Sequence, residues 1–116
     1  MGIDFSHCEV RWGYIGFHHF RKKLASVIGI ELDLMPGFDS DSKLEWPDPE
    51  EEPLVYLLNH SDCDGDLTPE QCAVVAPRLK ELVKQFPNDD SDREKGLDLS
   101  EGMALAAESG ELFEFM

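Results

Sequence analysis

The chain is short of several residue types, and each shortage excludes a class of protein. Three cysteines occur in 116 residues, Cys8, Cys63 and Cys72, which is an odd number and too few for a disulfide scaffold. No apolar run is long enough to predict a transmembrane helix, and the N-terminus lacks the charged and apolar regions of a signal peptide. We therefore expect a cytoplasmic protein with reduced thiols and no membrane segment.

Basic residues are scarce as well. The chain has 10 Lys and Arg against 25 Asp and Glu, which gives a formal net charge of -15. A field of this sign repels nucleic-acid phosphate and anionic lipid, so direct binding to nucleic acid or to a membrane is disfavoured. Cations and basic protein surfaces are the expected partners. The basic cluster, formed by His18, Arg21, Lys22 and Lys23, falls mostly off the apolar face of a predicted helix.

Catalytic motifs are absent too. The chain has neither a phosphate-binding glycine loop nor a nucleophile elbow, and paired carboxylates carry no information in a chain with 25 of them. Cys63 and His60 are the obvious candidates for a Cys–His pair, but the aspartates around them disfavour the reactive thiolate. His60, Cys63 and Cys72 are also ligand types for zinc, yet no paired Cys-x-x-Cys framework accompanies them. We therefore expect neither enzymatic activity nor a zinc site.

What the sequence does contain is regular apolar spacing, with steps of three and four residues that predict amphipathic helices. The helices are predicted over 14–28, 50–58, 69–86 and 91–109. Short strands are predicted over 3–12 and 112–115, and they most simply pair with each other, because an unpaired strand leaves backbone groups unsatisfied. This pattern predicts one α+β domain over 1–116, with about four helices and a small two-stranded sheet from the terminal segments. Pro77 falls inside the third helix and either kinks it or splits it.

An acidic, proline-rich loop is predicted over residues 36–53, where turn residues are too dense for regular structure. A loop of this length in a compact domain is often functional. Trp46 is its central aromatic residue, and with Glu50, Glu51 and Glu52 it forms the candidate contact with a basic partner. The same acidity is also accounted for by solubility alone.

Residues 60–71 have the spacing of a metal-chelating loop. Asp62 and Asp64 stand two residues apart, and Gly65 supplies the positive φ of a turn that aims oxygen atoms inward. An apolar residue and a hydroxyl follow at the eighth and ninth positions of the loop. In this arrangement the segment 54–84 resembles the helix–loop–helix of the EF-hand family. The resemblance extends to no other part of the chain.

The EF-hand resemblance implies a set of calcium ligands. They are the side chains of Asp62 and Asp64, the backbone carbonyl of Asp66, Thr68 directly or through water, and Gln71 at the last position. His60 stands at the first position, where EF-hands have aspartate, and Gln71 replaces the bidentate glutamate. An imidazole is a poor calcium ligand and an amide offers one neutral oxygen, so the implied dissociation constant is on the order of 10⁻³ M. The same residues also suit a turn that caps the next helix and binds no metal.

These observations favour a small acidic binding protein that carries a degenerate EF-hand-like loop with weak calcium affinity. The expected partner is a basic protein. An alternative is an acidic decoy that occupies the basic surface of a nucleic-acid-binding partner. The length, charge and order of elements also resemble those of small bacterial proteins, and that resemblance implies no activity.

Overall fold

Helices carry most of the core. The structure, a computed structural model, describes residues 2–61 and 65–116. Within those residues the α-helices are α1 (Tyr14–Val27), α2 (Val55–Leu58), α3 (Pro69–Val83) and α4 (Ser91–Ser109). The predicted α+β class and number of helices are confirmed. No helix in the described part of the chain combines the length and apolar character needed to cross a membrane.

The bounds of the helices follow from local sequence. α1 is followed by Gly29, whose φ of 80° is one that glycine adopts without strain. α3 is continuous through Pro77, so the proline does not split it. α2 is shorter than the helix predicted over 50–58, because Pro53 disfavours helical conformation at the preceding residue, Glu52.

The strands form two short antiparallel pairs. Strand β1 (Ile3–Phe5) pairs with β2 (Cys8–Trp12), and β3 (Asp66–Leu67) pairs with β4 (Phe113–Glu114). The single strand predicted over 3–12 is wrong, since a turn at positions 6 and 7 folds this segment into a hairpin. The terminal segments meet as predicted, through a bridge between Phe5 and Phe115 and a backbone hydrogen bond of 2.8 Å from Met116 N to Asp4 O.

The hairpin, α1 and the C-terminal strand join in an aromatic cluster. The ring of Phe5 contacts four others at centroid distances from 5.3 to 6.2 Å: those of Trp12, Phe17, Phe113 and Phe115. Aromatic pairs of this geometry contribute about 0.5–1.5 kcal/mol beyond the burial of their area. The cluster therefore holds both ends of the chain against α1.

Helices α3 and α4 pack so closely that one position on α4 admits no side chain. Gly96 is buried, and a Cβ atom there would lie 2.7 Å from Val83 Cγ2 and 3.0 Å from Phe20 Cε1. Carbon atoms in contact are optimally about 3.5–4.0 Å apart. This glycine therefore permits the close approach of the helices, although glycine inside a helix is unfavourable.

Substituting Gly96 by alanine tests this packing. We expect Gly96→Ala to lower the free energy of unfolding by about 1 kcal/mol, because overpacking costs about 1–3 kcal/mol and outweighs the gain of roughly 1 kcal/mol in helix propensity. Gly16→Ala in α1 is the matched control, since a Cβ there would meet Trp12 Cδ1 at 3.5 Å, an ordinary contact. The control should be neutral or stabilising in urea unfolding. Equal stabilisation by both substitutions would contradict the packing.

Candidate functional site

The described part of the predicted calcium loop has a sharp turn and a buried anchor. Gly65 has a φ of 92°, the positive value that the sequence predicts. Leu67 is 2% exposed and so anchors the exit from the loop in the core. Asp62 and Asp64, the predicted side-chain ligands, lie outside the described residues.

The predicted ligands Thr68 and Gln71 form a capping box at the start of α3. Thr68 Oγ1 accepts a hydrogen bond of 3.1 Å from the backbone N–H of Gln71, and Gln71 Oε1 accepts one of 2.9 Å from the backbone N–H of Thr68. These oxygens thus satisfy donors that the first turn of a helix leaves without intrahelical partners. Helix capping accounts for both residues, and a calcium ion would share their oxygens with these N–H groups.

The ring of His60 lies against the loop backbone. Its Nε2 is 2.9 Å from the carbonyl oxygen of Asp66, and its Nδ1 is 2.9 Å from that of Ser61. The ring also stacks on Phe115, with the centroids 3.9 Å apart. A carbonyl oxygen can only accept a hydrogen bond. A neutral imidazole has one N–H and can therefore donate to one of these two oxygens, whereas a protonated ring can donate to both. The histidine therefore adjoins the carbonyl that the EF-hand resemblance assigns to calcium.

A buried arginine binds the backbone where the chain enters the predicted calcium loop. Arg21 of α1 is 3% exposed, and its Nη1 donates to the carbonyl oxygen of His60 at 2.6 Å. The carbonyl oxygens of Leu57 and Leu58 lie 3.3 and 3.4 Å from the same nitrogen. Carbonyls at the end of a helix lack intrahelical donors, and the guanidinium supplies one. It also lies 4.6 Å from the centroid of the Phe17 ring.

The sequence predicts the basic cluster mostly off the apolar face of α1, and Arg21 is the member that lies on that face. Arg21 follows Phe17 by four residues and precedes Leu24 by three, which is the spacing of residues on one helix face. Both neighbours are fully buried. That spacing is the sequence signal that points to a buried guanidinium.

The lysines of the basic cluster are paired within the fold. Lys22 Nζ lies 2.8 Å from Asp33, and Lys23 Nζ lies 2.8 Å from Asp90 and 2.7 Å from Asp92. The hydrogen bond from Lys23 holds the pKa of Asp90 below its ordinary value. These cations are therefore used internally, and they do not neutralise the acidic loop.

Burial protects the described cysteines from ionisation. Cys72 is fully buried in α3, and this burial raises the pKa of its thiol to about 11. Cys8 is half-buried in a cleft of about 610 Å³ between β2 and α4, and burial raises its pKa as well. Cys63 lies outside the described residues. Among residues 2–61 and 65–116, no three His, Cys, Asp or Glu side chains are grouped so that they could hold a metal ion.

Glu52 anchors the acidic loop to α3. It is 9% exposed and accepts three hydrogen bonds from Arg78, with lengths from 2.7 to 3.1 Å. Two of them come from Nε and one from Nη2, so the guanidinium meets the carboxylate edge-on. The structure thus places this predicted interaction residue in an internal ion pair.

The other predicted interaction residues divide between packing and exposure. Trp46 is half-buried, and its ring packs edge-on against Phe38 with the centroids 6.5 Å apart. Glu50 and Glu51 are exposed. The loop therefore presents these two carboxylates from a backbone that is held at Trp46 and at Glu52.

The acidic loop and α3 form a cleft of about 330 Å³. It is lined mostly by apolar side chains, with two carboxylates and an amide: Pro49, Pro53, Tyr56, Val74, Glu50, Glu70 and Gln71. Within the described residues, neither Glu50 nor Glu70 forms an ion pair with a Lys or Arg side chain. The sequence does not predict this cleft, because Tyr56 and Val74 are distant in the chain and lie on different helices. The 44% exposure of Val74 marks an apolar side chain that the fold leaves open.

No family model matches the chain, no curated protein is significantly similar to it, and no solved structure matches it. The similarity of residues 54–84 to the EF-hand family therefore stays a prediction from sequence.

Substitution of two adjacent glutamates tests whether Glu52 anchors the acidic loop. We expect Glu52→Gln to lower the free energy of unfolding by about 1–2 kcal/mol, because hydrogen bonds to charged groups contribute about 1.5–3 kcal/mol and the amide retains part of them. Glu51→Gln makes the same change at an exposed position and should alter stability by no more than about 0.5 kcal/mol. Urea unfolding measures both. Equal effects would contradict the anchoring role of Glu52.

Calcium titration tests the predicted weak site. Isothermal titration should show heat at millimolar calcium that disappears in Asp62→Ala and Asp64→Ala, since these carboxylates are the charged ligands that the resemblance implies. His60→Asp and Gln71→Glu should each raise the affinity, because each restores a carboxylate at an EF-hand ligand position. Gln71→Glu also keeps a capping box. A lack of heat in the parent protein and in both restored variants would refute the calcium site.

Proposed function

We propose that the protein is a small acidic binding protein whose partner is a basic segment of another protein. The observation that supports this proposal is the cleft between the acidic loop and α3, where apolar side chains adjoin Glu50 and Glu70. A basic segment would gain apolar contact and charge attraction at the same place. An acidic or a neutral partner would lack the charge attraction.

The distribution of cations in the fold supports the same proposal. Arg21 binds backbone carbonyls, Arg78 binds Glu52, and Lys22 and Lys23 bind aspartates. The chain has a net charge of -15, and these internal pairs leave the carboxylates of the cleft unneutralised. Such a surface accelerates association with a cationic partner, and the effect weakens as salt screens the charges.

The anchoring of the loop favours binding as well. Arg78 holds Glu52, and the Trp46 ring packs against Phe38, on the two sides of Glu50 in the sequence. A surface that is already ordered costs less conformational entropy when it binds a partner. We therefore assign the binding surface to the anchored part of the loop and to the adjoining side of α3.

Two sequence-based proposals remain beside this one. A decoy would use the same acidic surface, and its partner would be the basic groove of a nucleic-acid-binding protein. Weak calcium affinity at residues 60–71 is a separate property of the loop, and the titration described above tests it. Neither is required for binding to a basic segment.

A labelled synthetic peptide rich in arginine and lysine tests the proposed function. Fluorescence anisotropy should show binding at about 0.01 M salt that weakens at about 0.15 M, because the Debye length falls from about 30 Å to about 8 Å. An acidic peptide of equal length is the control and should not bind. The proposal fails if the basic peptide does not bind at the lower salt concentration. A decoy should in addition displace duplex DNA from a lysine-rich DNA-binding domain.

A further inference from the structure

We infer that the cleft between the acidic loop and α3 receives a single arginine side chain of the partner. This inference rests on the proposed function and names the residue type that the cleft selects. Its basis is the combination of apolar lining, one aromatic residue and two carboxylates from separate elements. The volume of about 330 Å³ is suited to one long side chain rather than to a folded segment.

The lining of the cleft fits the two parts of an arginine side chain. Pro49, Pro53 and Val74 offer apolar surface to the three methylene groups, which long basic side chains bury while the charged group stays near water. Tyr56 offers an aromatic ring, and the planar guanidinium stacks on such rings. A lysine ammonium is compact and more strongly hydrated, so it gains less from the same surroundings.

The two carboxylates of the cleft come from different sides. Glu50 belongs to the loop and Glu70 to the first turn of α3, and both are exposed. A guanidinium has five donors in a fixed plane and can contact carboxylates on two sides at once. The N-terminus of a helix disfavours a cation, by about 0.3–1 kcal/mol when exposed, and Glu70 offsets this effect. Loss of Glu70 should therefore weaken binding more than loss of Glu50.

The larger cleft between β2 and α4 is less suited to a cation. Its charged lining residues have both signs: Glu9, Arg11, Lys95, Asp98 and Glu101. Lys95 Nζ donates to the carbonyl oxygen of Arg11 at 2.9 Å, so a cation of the chain already lies there. The cleft beside α3 has acidic groups and no Lys or Arg in its lining, which makes it the better fit for an arginine.

Peptides that differ at one residue test the choice of arginine. The probe is a synthetic lysine-rich peptide with one central arginine, compared with peptides that carry lysine or citrulline at that position. We expect a loss of affinity of about threefold for lysine and at least tenfold for citrulline, which keeps the shape of arginine without its charge. Equal affinity of the arginine and lysine peptides would overturn the inference.

Substitutions in the protein locate the binding site. Val74→Arg places a cation of the chain in the cleft and should weaken binding of the arginine peptide at least tenfold. Leu105→Arg is the matched control, because it makes the same kind of change at an apolar residue of α4 with a similar exposure, 49% against 44%. Glu70→Gln should weaken binding about fivefold, and Glu101→Gln, which changes the net charge equally, should weaken it less than twofold. Urea unfolding confirms that each variant is folded.

The outcomes separate the inference from the proposed function. If no basic peptide binds to the parent protein, the proposed function fails. If basic peptides bind but Val74→Arg and Leu105→Arg weaken binding equally, the proposed function survives and the assignment to this cleft is overturned. A larger loss in Leu105→Arg would move the site to the cleft between β2 and α4. A selective loss in Val74→Arg and Glu70→Gln supports the inference.

Discussion

The buried guanidinium of Arg21 is the interaction on which the position of helix α2 and of the segments next to it depends. A charge removed from water must be compensated by hydrogen bonds. Here the carbonyl oxygens of residues 57, 58 and 60 accept them from the guanidinium. Helix α2 has four residues, too few to be stable alone, so tertiary contacts such as this one set its position. α2 in turn leads into residues 60–71 and carries Tyr56 to the cleft. One arginine of α1 thereby positions both candidate sites.

Three cations of the fold form contacts between separate elements. Arg21, Arg78 and Lys23 each join two elements that are distant in the sequence. An excess of one sign destabilises a compact state through self-repulsion, and the apolar core, with the aromatic cluster around Phe5, opposes that repulsion. The excess of 25 Asp and Glu over 10 Lys and Arg gives the molecule a field that attracts cations.

The elements that were predicted well are those whose signals are local. α1, α3 and α4 follow from apolar residues at helical spacing, and Thr68 marks the start of α3 as a capping residue. Local signals do not indicate the hairpin, because its two-residue turn, Ser6 and His7, lacks the glycine or asparagine that is typical of such turns. The sequence also does not indicate why residue 96 is a glycine, since the lack of space for a side chain there depends on Val83, a residue of another helix.

Residue types and their short-range spacing were sufficient for the α+β class, the extent of the long helices and the sign of the surface charge. They could not distinguish Glu52 from Glu51, because the difference is the presence of Arg78 beside one of them. Nor could they show that Tyr56 and Val74 line one cleft, or that His60 stacks on Phe115. Each of these pairs joins distant segments of the chain. Their meeting depends on how the helices and terminal strands pack, which no local pattern of residues specifies.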